Sequence, residues 1–356
     1  MKRMNLLEYL SAREFNVARL NLIVALAFAT FVALHPAVPA WQFIRLIAEY
    51  APLTLLMGAL ALLCFAFRRG WPNRMFDVVI DRWRADRFVT LGWPLLLFAI
   101  VMPSFSAFKQ RIIPLAGFHF DHSLAAIDRA MFGVDPGLWL HNAIGTPLLT
   151  SFLDAVYHAW FIPMSIGVGI VALYTDPRTR MQYMTAYAMT WIGLGSVLAY
   201  LLPAAGPCYF HLLAGAEGSA PFDAVNTALY ADRAAGSTNF LFTLNVKDML
   251  LNRFNDPNLS IGGGISAIPS IHNAMAVLFA LAGFRFNRTL GLLMSGFAAL
   301  IWIGSIYLNW HYAIDGIVGA AGSVGLWYLA GLLTGSPQTT EDHASEPALI
   351  PTPDPL

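Results

Sequence analysis

Residues 289–334 read TLGLLMSGFAALIWIGSIYLNWHYAIDGIVGAAGSVGLWYLAGLLT. Two apolar runs, 289–309 and 312–334, meet at a short polar island. The stretch has no lysine or arginine, and its only imidazole and carboxylate are His311 and Asp315. About 20 apolar residues are needed to cross the hydrocarbon core of a bilayer, so each run is long enough to span one as a helix. Neither run alternates with period two, and a bilayer admits only helices or closed barrels. Ionisable groups at membrane depth are costly and mark functional sites by default. The island is therefore read both as a turn between two spans and as a candidate site.

Working outward, the whole chain has the same character. Of 356 residues, 57% are hydrophobic and 12% charged, against about 25% charged in soluble domains, and the mean hydropathy is +0.59. Further spans are expected near 17–35, 49–67, 89–108, 148–173, 183–203 and 271–286, the last short and interrupted by His272 and Asn273. The expected fold is all-α, a polytopic membrane bundle of about eight transmembrane helices. The first apolar run exceeds the roughly 7–15 residues of a signal-peptide core and is read as the first span. Lysines and arginines divide about two to one in favour of the side holding the N-terminus, which puts both ends in the cytoplasm. Residues 1–88 then form N-terminal helices and a cytoplasmic loop, 89–334 a membrane domain, and the proline-rich 335–356 a disordered cytoplasmic tail. Segment 109–147 is expected to carry short surface helices. Segment 204–270 is long enough to be a lid or binding loop. Cys64 and Cys208 fall on opposite sides and are read as packing residues, not a disulfide. The zero net charge does not point to nucleic acid, and none is expected as a partner.

This topology brings three distant residues, His272, His311 and Asp315, to one membrane face. His311 and Asp315 are four apart, one turn along a single helix face. A carboxylate there accepts the Nδ1–H, fixes the tautomer and leaves Nε2 with a free lone pair. Such a nitrogen is a covalent catalyst able to attack phosphorus, and His272 can protonate the leaving oxygen. Ser270 is a candidate N-cap, and the helix N-terminus it opens is an anion site. Gly262-Gly263-Gly264 allows close backbone approach. Lys109 and Arg111 are the cations expected to bind phosphate; the plainer reading makes them interfacial anchors and Ser270 a cap alone. His119, Asp121 and His122 suggest a metal site only weakly, without further ligand spacing. Asp154, Tyr157 and His158 lie near the outer end of the 148–173 span and suggest a substrate-facing role only weakly; the plainer reading makes His158 structural or interfacial. His211 is read as structural or interfacial.

Pro269-Ser270-Ile271-His272, followed by His311-Tyr312-Ala313-Ile314-Asp315, resembles the type 2 phosphatidic acid phosphatase superfamily. Tyr307-Leu308-Asn309-Trp310-His311-Tyr312-Ala313-Ile314-Asp315, Asp128-Arg129-Ala130-Met131-Phe132-Gly133-Val134-Asp135-Pro136 and the Pro203–Pro207 turn are similar to its inositol phosphorylceramide synthase branch. The resemblance runs from about residue 90 to 330. It implies a catalytic core in 89–334, with His311 as nucleophile, Asp315 as its partner and His272 as leaving-group acid, and with no metal or cofactor. Ordinary members carry an arginine six residues before the nucleophile, where this chain has Ser305, and their Lys-x6-Arg-Pro motif is not evident. The expected activity is transfer of a phosphoryl or phospho-alcohol head group from a phospholipid to a lipid hydroxyl, as in sphingolipid metabolism. Hydrolysis of the same intermediate by water, as in a lipid phosphate or prenyl diphosphate phosphatase, is the alternative. A non-catalytic transporter or scaffold with a histidine proton relay is a second one. The expected setting is a bacterial inner membrane with the site on the periplasmic face. The oligomeric state is not legible.

Overall fold

The computed structural model describes residues 10–68, 85–236 and 240–335. The basic loop 69–84, the tail beyond Gly335 and the side chain of Cys64 lie outside the described residues. Among the described residues every regular element is helical. The helices are α1 (Ala12–Leu34), α2 (Ala40–Arg68), α3 (Ala85–Arg111), α4 (Asp121–Phe132), α5 (Pro136–Ile144), α6 (Pro147–Ala159) and α7 (Phe161–Tyr174). Then follow α8 (Pro177–Met189), α9 (Ala220–Ala235), α10 (Phe242–Phe254), α11 (Ile271–Phe286), α12 (Arg288–Tyr307) and α13 (Ala313–Thr334). Helix α8 runs on through a π-helical stretch, Thr190–Leu198, to Leu201.

Seven segments are long and apolar enough to cross a membrane: Ala12–Leu34, Ala40–Leu63, Val89–Ala116, Pro147–Tyr174, Pro177–Leu201, Arg288–Tyr307 and Ala313–Thr334. The eighth expected span, α11, is apolar but has only 16 residues. At 1.5 Å per residue that is about 24 Å, short of a core about 30 Å thick. Its place explains its length. It packs against α8, α12 and α13, with Asn273 to Ala276, Leu278 to Ala280, Ala282 and Gly283 all buried. A helix apolar on every side belongs inside a bundle, and this one is its central post.

Two spans depart from plain helices. The 148–173 span is broken at Trp160 into α6 and α7. Pro163 supplies the reason: it has no N–H, and its ring crowds the carbonyl four residues back, at Ala159. The π-helical stretch in the next span widens the turn beside it. On α13, side chains at Gly316 and Gly319 would collide with the Trp302 ring and the Ser270 carbonyl. Their absence lets α13 close on the N-terminus of α11, as small residues do between membrane helices. Helices α4, α5, α9 and α10, with the loops around them, gather at the end of the bundle where α11 and α13 begin.

Candidate active site

His311 lies in the five-residue link between α12 and α13. The amides of Trp310 and His311 both donate to the Ser305 carbonyl, at 2.9 and 3.1 Å. Asn309 takes a positive φ of 62°, a conformation asparagine tolerates better than most residues. Its side-chain amide donates to the Phe222 carbonyl and to Asn226 Oδ1. The Lys247 ammonium donates to the Leu308 carbonyl at 2.8 Å and lies over the Trp310 ring. Burial pushes Lys247 down to about 8. The link is thus held from several sides before any ligand arrives.

The start of α13 is capped twice. Asp315 Oδ2 accepts from the Tyr312 amide at 3.1 Å and faces His311 Nδ1 at 3.4 Å, long for a hydrogen bond. Its other oxygen has no described partner. Asp128, on α4, accepts from the Ala313 and Ile314 amides at 2.6 and 2.9 Å. A cap of this kind is worth about 1 kcal/mol, and here it also fixes where His311 sits. Seven residues earlier on the same face, Asp121 accepts from the Ala205 and Gly206 amides and the Tyr312 hydroxyl, each at 2.8 Å. Burial pushes both carboxyls up, against the pull of these amide bonds. Two carboxylates on the buried face of α4 therefore tie it to both sides of the site. The sequence reading assigned Asp128 no role and gave Asp121 only a weak metal one. The available signal was two acids seven apart, on one side of a helix with Leu124 and Ala125.

His272 sits in the first turn of α11. Its ring stacks on Tyr157 (centroids 4.8 Å, 21°) and lies against Trp160 at 4.4 Å. Trp160 Nε1 donates to the His272 carbonyl at 3.0 Å. The His272 and His311 rings are 6.3 Å apart. Both line a cavity of about 370 Å³, together with Lys109, His158 and Gly262–Gly264. The two histidines share one end of the bundle, whereas a relay would string them across it. Burial, with the Lys109 charge added, pushes the His311 imidazole down to about 3. The ring is therefore uncharged at neutral pH. The cavity continues between apolar side chains, Leu53, Met102, Phe105, Met164 and Trp191 among them. From Lys109 to Met102 along α3 is about 10 Å.

The six residues expected to form the site separate here. His311, Asp315 and His272 come together, and Lys109 lines the cavity with them. Among the described residues the Lys109 ammonium has no hydrogen-bond or ion-pair partner. Arg111 is not among the lining residues; its guanidinium donates to the Asp256 carbonyl at 3.1 Å. Ser270 is fully buried and accepts from the Asn273 amide and side chain, the geometry of a cap. Between the two cations, Gln110 exchanges two hydrogen bonds with the backbone of Ser260, at 2.7 and 3.0 Å. A side chain at Gly264 would strike Lys109, and its φ is +92°. So the glycine loop is pinned against the cation by its neighbours. Of the weaker metal candidates, Asp121 is taken up by amides and His122 Nε2 meets the Ala214 carbonyl. Cys208 is a free thiol on the cavity wall, with burial pushing it up to about 12.

No curated protein and no solved structure matches the chain significantly. A family model described as the PAP2 superfamily matches residues 122–329, a region that takes in His272, His311 and Asp315 as well as Asp128 and His158. With that match covering more than half of the sequence, the chain belongs to the PAP2 superfamily, as a helical multi-pass membrane protein.

Proposed function

We propose that the protein is an integral membrane lipid phosphotransferase that moves a phosphoryl or phospho-alcohol head group from a phospholipid to a lipid hydroxyl through a phosphohistidine. One observation carries this reading: two imidazoles 6.3 Å apart on one cavity, the first braced by Asp315, with an unpaired lysine lining the same space. Reacting atoms approach to about 3–3.5 Å before bonding, so a phosphorus flanked by two nitrogens fits a gap of this size.

Lys109 and the free N–H groups opening α11 hold the phosphate charge. Nε2 of His311 attacks phosphorus, and the bond to the leaving oxygen breaks. His272 gives that oxygen its proton, while Asp315 balances the imidazolium charge. The acceptor hydroxyl then displaces the nitrogen. Acyl chains occupy the apolar part of the cavity. Lys109 serves in place of the arginine that other members carry at the position of Ser305. That serine is fully buried and donates to the Trp302 carbonyl. The likeness of 128–136 and 307–315 to the inositol phosphorylceramide synthase branch supports a ceramide-like acceptor. Family membership favours the second reading, hydrolysis, because PAP2 members are generally phosphatases. The distribution of basic residues supports a site on the non-cytoplasmic face, the periplasm if the membrane is a bacterial inner one.

The test is incubation of purified protein with head-group-labelled phospholipids, with and without ceramide or diacylglycerol. Transfer gives a labelled lipid product that depends on the acceptor; hydrolysis gives water-soluble label in both cases. His311→Ala abolishes either product, and Asp315→Asn lowers it by roughly 10²–10⁴-fold with helicity unchanged. Turnover retained in His311→Ala ends the phosphohistidine proposal.

A further inference from the structure

The cavity wall carries a third imidazole that the reaction above does not use. His158 lies in the last turn of α6, and its ring lines the same space as His272 and His311. Its Nδ1 is 2.9 Å from the Asp154 carbonyl and 3.3 Å from Asp154 Oδ1. Both are acceptors, so Nδ1 carries the hydrogen and Nε2 carries the lone pair. Asp154 is itself immobilised: its carboxylate accepts from the Phe242 and Thr243 amides at 2.7 and 2.8 Å, closing the N-terminus of α10. Thr243 in turn accepts from Trp310 Nε1 at 3.2 Å, next to the nucleophile. His158 and Asp154 thus set an imidazole beside a carboxylate four residues away, as His311 and Asp315 do in the reverse chain order, on another element of the same cavity.

Phosphoryl transfer through a covalent intermediate moves two protons at two different oxygens. The donor oxygen must gain one and the acceptor oxygen must lose one. Both oxygens lie on the side of phosphorus away from His311, because each displacement is in line. His158 is placed beside His272 by a shared ring: Tyr157 stacks on His272 and meets the His158 ring edge-on at 5.8 Å. The two available imidazoles differ in what supports them. His158 has a carboxylate to stabilise the imidazolium formed when it takes a proton. His272 has no carboxylate among the described hydrogen bonds and ion pairs and is enclosed by aromatic rings. Paired groups in contrasting environments divide acid and base roles.

We propose that His158 is a further catalytic residue, the general base for the acceptor, while His272 serves the departure of the donor. This rests on the phosphohistidine reading. In the first step the His311 Nε2–P bond forms, the P–O bond to the donor breaks, and the His272 proton goes to the donor oxygen. In the second, the acceptor O–H proton goes to His158 Nε2 and the acceptor oxygen bonds to phosphorus. The electron pair of the N–P bond then returns to His311. His158 releases its proton to solvent and His272 regains one, so the cycle closes without net change.

The test uses the full-length protein in mixed micelles with phosphatidic acid and phosphatidylinositol, each ³²P-labelled at the head-group phosphorus. Rapid quenching follows acid-labile label on the protein, and steady-state product is measured in parallel. His158→Asn keeps a donor near Nδ1 and removes Nε2. The expected result is a labelling burst within about threefold of wild type, with steady-state turnover down by about 10²-fold, the usual size of a general-base contribution. The phosphoenzyme then accumulates. Turnover within threefold of wild type overturns the proposal. So does an equal loss of burst and turnover, because that places His158 in the first step or in the fold. Absence of label on wild-type protein with either lipid is a different failure, that of the covalent reading itself.

Discussion

The two ends of the bundle treat buried charge in opposite ways. At the end away from the site, Glu14 on α1 and Arg180 on α8 form a bidentate pair at 2.6 and 3.0 Å. Arg180 also donates to the Ala172 and Thr175 carbonyls, and Trp93 donates to Glu14. Asn21 meets Thr185 nearby, and Gln182 meets Arg285 and the Trp327 carbonyl. At the other end Lys109 reaches a cavity with no described partner, and Asp315 keeps one oxygen unpaired. A buried ion pair costs desolvation that good geometry offsets, so the first end is a clamp. An ammonium left without an anion is destabilising, so the second end keeps uncompensated charge where the first neutralises it.

Breaking the clamp gives the largest effect on stability. Glu14→Ala leaves the Arg180 guanidinium buried without its carboxylate, holding only the Ala172 and Thr175 carbonyls, and is expected to cost about 3–5 kcal/mol. Activity per folded molecule stays within about twofold. Thermal unfolding in detergent, with turnover normalised to the folded fraction, checks both halves. A large activity loss with unchanged melting would erase the distinction between the two ends.

Lys109→Met is the converse. It lowers kcat/KM by roughly 10²-fold, about 2.7 kcal/mol of transition-state stabilisation, without lowering the melting temperature. Loss of stability in this variant would show that Lys109 has a structural partner after all.

The pH response of His311 sharpens the same contrast. Burial holds its imidazole near 3, so lowering the pH from 7 to 5 does not protonate the nucleophile. With a phosphodiester donor, the rate of covalent labelling should not fall across that range. A decline centred near the ordinary imidazole value of about 6.5 would mean that His311 is solvated.

Arg111→Ala carries the smallest expected effect. Its guanidinium holds the Asp256 carbonyl, outside the cavity lining, so kcat/KM changes by less than about threefold. This departs from the sequence-based expectation that Arg111 binds phosphate beside Lys109. Residues two apart on a helix point about 200° away from each other, and one cavity on one side of α3 can receive only one of them.

Much of the fold was legible because a bilayer asks little of a span beyond length and apolarity. The exceptions are instructive. The length of α11 made little sense as a lone span and made sense once its burial among the surrounding helices was visible. The break at Trp160 had a local sign in Pro163. The supports of the site had at most the seven-residue spacing of Asp121 and Asp128, which names no partner: Asp128 reaches Ala313 across 185 residues and Gln110 reaches Ser260 across 150. Hydrogen bonds of that span leave no pattern in a local window, since each partner alone is an ordinary acid or amide in a loop or helix end.

By itself the sequence determined the helical membrane bundle and the pairing of an imidazole with a carboxylate in its island, because hydrophobic run length and the four-residue spacing of His311 and Asp315 are local properties. Only the tertiary structure decided which cation lines the cavity, that Ser270 has the geometry of a cap, and which carboxylates tie the cavity walls together. Those depend on the direction of side chains from helices distant in the chain, which packing sets and composition does not.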